Sequence, residues 1–327
     1  MRTKMNPSRN RQLAPNPNGS LSRRTFLGKS IGIVAGLDLA SAGSLCAAPG
    51  QKRLQFMVSL SQISLRRALA AKQFEHLDFP RIARQDYGIE AIELESQFFS
   101  DKAKDHDYLV ELKRRAEDQG VHILLVKVSD AGALGDADPA KRKLAVENHR
   151  PWVEAASALD CHSLAVNADS GGVGSLEDQA NRTAEGLIKL SQFGAKNGLN
   201  IIIASHEYPS SSPAWVLEVI KKVSLPACGT LPDIGGPDVP GGKPYDHYRG
   251  LAELMPFAKA VGANSVDFDS AGNETLTNYA RMVRIVVDAG YHGYVGIHYQ
   301  GERLSESDGI QATKRLLERV REGLPQA

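Results

Sequence analysis

Cysteine is scarce in this sequence: three residues in 327, too few for a disulfide framework to stand in for a hydrophobic core. Cys46 lies in a leading segment, and Cys161 and Cys228 each fall near the start of an apolar stretch, where a small buried hydrophobe is expected. Charge of one sign is also missing. Lys plus Arg (39) nearly cancels Asp plus Glu (38), so no long-range field gathers nucleic acid or an acidic membrane, and neither is an expected partner. Strongly apolar runs are absent too: the segment from Ser30 to Ala48 is rich in Gly and Ala and interrupted by Asp38, weaker than the roughly 20 apolar residues of a spanning helix. The mature chain is therefore expected to make no stable membrane insertion. No Gly-x-Gly-x-x-Gly follows the first strand-like segment, which leaves dinucleotide binding without support.

The first fifty residues differ in kind from the rest. A polar stretch rich in Arg, Asn and Pro leads to Ser22-Arg-Arg-Thr-Phe-Leu-Gly-Lys29 and then to the modest apolar segment. The pair Arg23-Arg24 before Phe26-Leu27 resembles the twin-arginine export address. Small residues at Ala40-Ser41-Ala42 and Cys46-Ala47-Ala48 offer cleavage sites. Residues 1–48 are accordingly expected to be a signal peptide with a basic leader, 49–327 the folded domain, and the destination the periplasm.

From Arg53 onward strand-like and helix-like periods alternate with short connections. Strands are expected at Leu54 to Leu60, Ile89 to Leu94, Val121 to Val128, His162 to Asn167, Ile201 to about His206, Leu225 to Leu231, Ala260 to Phe268 and Tyr294 to His298. Helices are expected at Leu65 to Ala71, Tyr108 to Gln119, Pro139 to Leu159, Leu176 to Asn197, Pro213 to Lys222, Tyr248 to Ala258, Leu276 to Ala289 and Ser305 to Glu322. Eight such units predict an α/β fold, a single (β/α)8 TIM barrel, over an open doubly wound sheet.

In a barrel, function sits at the C-terminal ends of the strands. Those ends carry Glu93 and Glu95, Lys127 and Asp130, Asn167 and Asp169, His206 and Glu207, Asp233, Asp267 and Asp269, then His298 and Gln300. The two-residue period of a strand puts His206 on one face with Ala204 and Ile202, and His298 on one face with Gly296 and Gln300. If both histidines point inward, His206, Asp233 and His298 offer two imidazoles and a carboxylate, a plausible face for a divalent metal. Singly, each residue has a plainer role as a turn former, a cap or a solvated loop residue. Their joint placement carries the functional reading.

Several longer stretches point the same way: "SQFFSDKAKD" (96–105), "ENHRPWVEAASALDCHSLAVNA" (147–168), "GTLPDIG" (229–235), "YRGLAELMPFAKAV" (248–261) and "AGYHGYVGIHYQG" (289–301). Through them the chain resembles the sugar phosphate isomerase/epimerase group of the xylose-isomerase-like barrels, in particular its exported members. The resemblance implies a TIM-type barrel and a divalent metal that helps move a proton or hydride between adjacent carbons of an open-chain sugar. Zinc, manganese or iron is the expected cofactor, and a small-molecule sugar the expected partner. Carried over by position, Asp233 matches the strand-six ligand and His206 the histidine of the strand-five Glu-Asn-His. Glu93, Lys127 and Asn167 become candidate substrate-binding residues.

The carboxylates depart from that pattern. Glu-Asn-His becomes Ala204-Ser205-His206, and the strand-eight Gly-Ile-Glu-Tyr-Glu-Gly becomes Gly296-Ile297-His298-Tyr299-Gln300-Gly301. Loss of Glu at Ala204 removes a ligand outright; His298 keeps a possible ligand but removes a negative charge, a change that disfavours magnesium. Two functional expectations follow. One is an exported isomerase or epimerase with metal on His206, Asp233 and His298, in which His206, Glu207 or Asp267 supplies the catalytic base. The other is a degenerate barrel that binds a carbohydrate or a protein partner without chemistry.

Overall fold

The computed structural model describes residues 55–206, 208–235 and 246–324. The expected signal peptide, Cys46 and Glu207 lie outside the described residues. Nine parallel strands form one sheet: β1 (Met57–Ser61), β2 (Ala91–Glu95), β3 (His122–Val128), β4 (Ser163–Asn167), β5 (Asn200–Ala204), β6 (Cys228–Leu231), β7 (Asp233–Ile234), β8 (Val261–Ser265) and β9 (Tyr294–Tyr299). They pair in the order β6-β5-β4-β3-β2-β1-β9-β8-β7. The two ends of that order, β6 and β7, are separated only by Pro232. The sheet thus closes on itself through one interrupted strand, and the expected eightfold barrel is what forms.

Pro232 explains the interruption. It has no N–H to give to a ladder, and β6 pairs with β5 while β7 pairs with β8. Its carbonyl still accepts a 3.0 Å bond from the Gly262 N–H. The sixth strand starts later than the periodicity suggests, at Cys228, whose N–H closes a turn on the Leu225 carbonyl at 2.9 Å, and it resumes as β7 beyond the proline.

The helices are α1 (Arg66–Ala70), α2 (Phe79–Tyr87), α3 (His106–Asp118), α4 (Pro139–Ala158), α5 (Leu176–Lys196), α6 (Pro213–Val223), α7 (His247–Leu254), α8 (Tyr279–Asp288) and α9 (Glu306–Glu322). Most lie close to the expected spans. Helix α2 is an addition: Pro80 sits in its first turn, Phe79, Ile82, Ala83 and Tyr87 are buried, and Gly88 ends it with φ +65°. Helix α7 is shorter than expected because Met255–Phe257 turns into a 3₁₀ segment opening on Pro256.

Two apolar groupings result. The larger fills the layer between sheet and helices and includes Ile92, Leu94, Val126, Leu164, Val166, Ile201 and Ile203. The smaller holds Leu125, Ala165, Ile202, Ala204, Leu231 and Ala260, alternate residues of the same strands, which therefore face the barrel interior. Cys161 and Cys228 are free and buried, as small hydrophobes would be. Among the described residues no helix is long and apolar enough to cross a membrane.

Candidate functional site

The strand period that sends Ile92 and Leu94 to the helices sends Glu93 and Glu95 inward. Both are buried, at 4% and 3% exposure, at the C-terminal end of β2. The same parity directs Ser59 and Ser61 of β1, Lys127 of β3, Asn167 of β4, Gly262 and Asn264 of β8, and Gly296 and His298 of β9. Register agrees: Glu95 pairs with Lys127, Asn167 with Ala204, Asp233 with Gly262 and Asn264 with His298.

His298 is the centre of the group. Its Nε2 lies 2.8 Å from Glu93 Oε2, and its Nδ1 3.5 Å from Asp233 Oδ1. The second contact is an ion pair rather than a good hydrogen bond. Ser59 Oγ donates to Glu93 Oε1 at 2.7 Å, so both carboxylate oxygens are engaged. Two glycines make room. A Cβ on Gly262 would fall 2.1 Å from Asp233 Oδ1 and 2.9 Å from His298 Cε1, and one on Gly296 would fall 2.1 Å from Glu93 Oε1.

The backbone around this ring is pinned from the β1 side by the 3₁₀ turn Gln62–Leu65. Ser64 Oγ donates to the Ile297 carbonyl at 2.8 Å and accepts from the Tyr299 N–H at 2.9 Å, bracketing His298. Gln62 Oε1 accepts the Glu95 N–H at 2.9 Å. Arg66 then holds the Tyr299 and Gln300 carbonyls.

Burial would lower the pKa of His298, but hydrogen bonds and charge from Asp233 and Glu93 outweigh it and push the ring up to about 10. Near neutrality it is an imidazolium, with Nε2 donating to Glu93 and Nδ1 at ion-pair distance from Asp233. Burial raises the Glu95 carboxyl, with Lys127 and His298 pulling the other way and Glu93 adding to the rise. Three buried polar atoms near this end, Asn167 Oδ1, Gln62 Nε2 and Asp233 Oδ1, have no hydrogen-bond partner among the described residues.

Of the residues expected from sequence, Glu93, Asp233 and His298 come together, and Lys127 and Asn167 share the same inward parity. His206 lies beyond the end of β5 and is exposed. Asp267 is on the rim: Arg303 and the Phe268 N–H hold its carboxylate and lower its pKa. Asp269 closes a loop, accepting from the Ala271 and Asn273 amides at 2.9 Å, and Asp169 caps Gly171. Ser59, Ser61, Gln62 and Asn264 belong to the site but were not singled out from sequence. The inward parity of β1 and β8 was the available signal.

The family of xylose isomerase-like TIM barrels matches residues 82–322. This chain belongs to that family. No curated protein sequence matches it. Among solved structures, D-psicose 3-epimerase from Clostridium cellulolyticum H10 is similar at TM-score 0.65 and 12% identity, over 81% of this chain and 99% of that one. The IOLI protein with a bound zinc atom is similar at TM-score 0.66 and 12% identity, over 83% and 100%. The 3-keto-D-glucoside 4-epimerase YcjR of E. coli follows at TM-score 0.62 and 13% identity, over 81% and 99%. At such identities the likeness is one of fold.

Family membership raises the question of a metal, and the described residues do not fit one. Among the described residues no group of three or more His, Cys, Asp or Glu side chains is placed to hold an ion. Ala204 offers no donor, His206 is exposed, and both nitrogens of His298 face carboxylates.

Proposed function

We propose that this xylose isomerase-like barrel acts on an open-chain sugar or sugar derivative at its C-terminal mouth, by a proton transfer of the isomerase or epimerase kind that its own side chains carry. The observation behind this reading is the convergence of Glu93, Glu95, Asp233 and His298, all from strand ends, with Lys127 beside Glu95 in register. The sugar-directed neighbours support the substrate class at the level of fold.

Such a reaction takes a proton from a carbon next to a carbonyl and returns it to the neighbouring carbon or the opposite face. It needs a group that exchanges a proton and positive charge near the oxygen that becomes negative. Glu95 fits the first role because burial raises its carboxyl. Lys127 and the His298 imidazolium fit the second. Asn167 Oδ1 and Gln62 Nε2, unpartnered and buried, suit the acceptor and donor sides of sugar hydroxyls. We assign the twin-arginine leader to export, so the sugar would be met in the periplasm.

Incubation with ketoses and keto-sugars in deuterated water tests the reading. Deuterium should enter at the carbon beside the carbonyl, and Glu95→Gln should stop the exchange. Saturable sugar binding with no exchange in the native chain would instead favour a binding protein without chemistry, the reading that the acid missing at Ala204 recommends.

A further inference from the structure

We propose that the imidazole of His298 permanently fills the seat between Glu93 and Asp233, and that this barrel mouth therefore excludes divalent cations from it. The inference goes beyond the proposed sugar chemistry and does not depend on it.

Geometry carries it. The ring spans the two carboxylates, with Nε2 2.8 Å from Glu93 and Nδ1 3.5 Å from Asp233. The remaining oxygen of Glu93 is taken by Ser59 at 2.7 Å. An ion entering here would have to displace the ring and break its bond to Glu93 to gain that carboxylate, and otherwise Asp233, whose Oδ1 accepts no hydrogen bond among the described residues, would be left to hold it alone. The seat is deep, His298 and Glu93 being 6% and 4% exposed, and only the Asp233 side chain, at 18%, opens toward solvent. It is also shaped for a ring: Gly262 and Gly296 lie where any larger residue would strike Asp233, His298 or Glu93. Across the interior, β5 ends in Ala204, which is apolar and packed with Ile202 and Leu231, so among the described residues β5 itself presents no carboxylate to the seat. The ring occupies the place an ion would need between the two carboxylates, one nitrogen hydrogen-bonded to Glu93 and the other at ion-pair distance from Asp233.

The test uses the full chain, stripped with a chelator and titrated with zinc and manganese. Calorimetry and elemental analysis report uptake, and nitrogen NMR of the histidine rings reports the seat. We expect no saturable uptake that depends on His298 and no movement of its ring signals. Uptake that survives both His298→Ala and Asp233→Asn lies elsewhere on the chain and leaves the inference standing. One equivalent of metal lost in both variants, with displaced ring signals in the native chain, would overturn it. A second arm empties the seat: imidazole should raise the melting temperature of His298→Ala and not of the native chain, and indifference of a folded His298→Ala to imidazole would count against it. Should that variant not fold, the native titration with Asp233→Asn decides alone. Deuterium exchange into a sugar is a separate readout, so the sugar reading and this one fail independently.

Discussion

The interior of the barrel is divided. Over β3 to β6 the inward residues Leu125, Ala165, Ile202, Ala204 and Leu231 pack into an apolar plug. Over β1, β2, β8 and β9, at the same parity, the interior holds Ser59, Glu93, Glu95, Gly262, Asn264, Gly296 and His298, nearly all hydrogen-bonded or ion-paired. The plug depends on volume and tolerates any apolar filling of the right size. The ionic side depends on partners, since a buried charge is tolerable only when matched. The two sides should therefore fail in different ways when perturbed.

The largest effect is expected from Glu93→Ala, which leaves His298 and Ser59 facing one another without their acceptor. Removing one member of a buried pair costs about 3–5 kcal/mol, read as a drop in the urea midpoint of unfolding. The pH profile sharpens the contrast. Burial opposes protonation of His298, but Asp233 and Glu93 win and raise it from 6.5 to about 10 in the folded chain. A raised histidine contributes stability that is fully present below about pH 6.5 and is lost as pH rises towards about 10. The native midpoint should fall across that window. In His298→Gln this fall should be absent, whereas variants of the plug should keep it.

On the apolar side Ile202→Ala should cost about 2–5 kcal/mol through lost burial and a residual cavity, with the alkaline profile unchanged. An altered profile there would mean that the plug and the ion cluster are coupled. Gly296→Ala is expected to cost less, about 1–3 kcal/mol for overpacking. Its added Cβ meets the Glu93 carboxylate at 2.1 Å, so the defect should appear as displaced Glu93 and His298 resonances before it appears in the midpoint. An alanine at Gly88, with nothing within 4 Å of a Cβ there, would be strained only by its φ of +65° and should leave those resonances in place.

The division explains how much could be read in the sequence. The barrel was legible because alternating strands and amphipathic helices repeat in the chain itself. Helix α2 was missed since only nine residues and a leading Pro80 mark it, between two stronger signals. Glu93, Asp233 and His298 could each be nominated from strand-end position. That they meet one another could not, because it depends on residues 65 positions apart (Asp233 and His298) and 205 apart (Glu93 and His298) brought together by barrel closure. His206 shows the converse: its placement beside Ala204 in the chain promised an inward ligand, yet β5 ends at Ala204 and the period of two lapses beyond it.

The smallest effect is expected at the rim, where Asp267 offers a carboxylate two residues beyond the end of β8, whereas Glu95 is the last residue of β2. Arg303 and the Phe268 amide hold the Asp267 carboxylate and lower its pKa, and the group stands in solvent. An ion pair of that kind is screened and contributes little to stability. A carboxyl whose pKa is lowered by a guanidinium is also a weak base. Asp267→Asn should therefore leave the urea midpoint close to native and any sugar exchange within a small factor, while Glu95→Gln abolishes exchange with the fold intact. If Asp267→Asn instead removed exchange and Glu95→Gln did not, the working carboxylate would be on the rim, and the buried ion cluster would be structural.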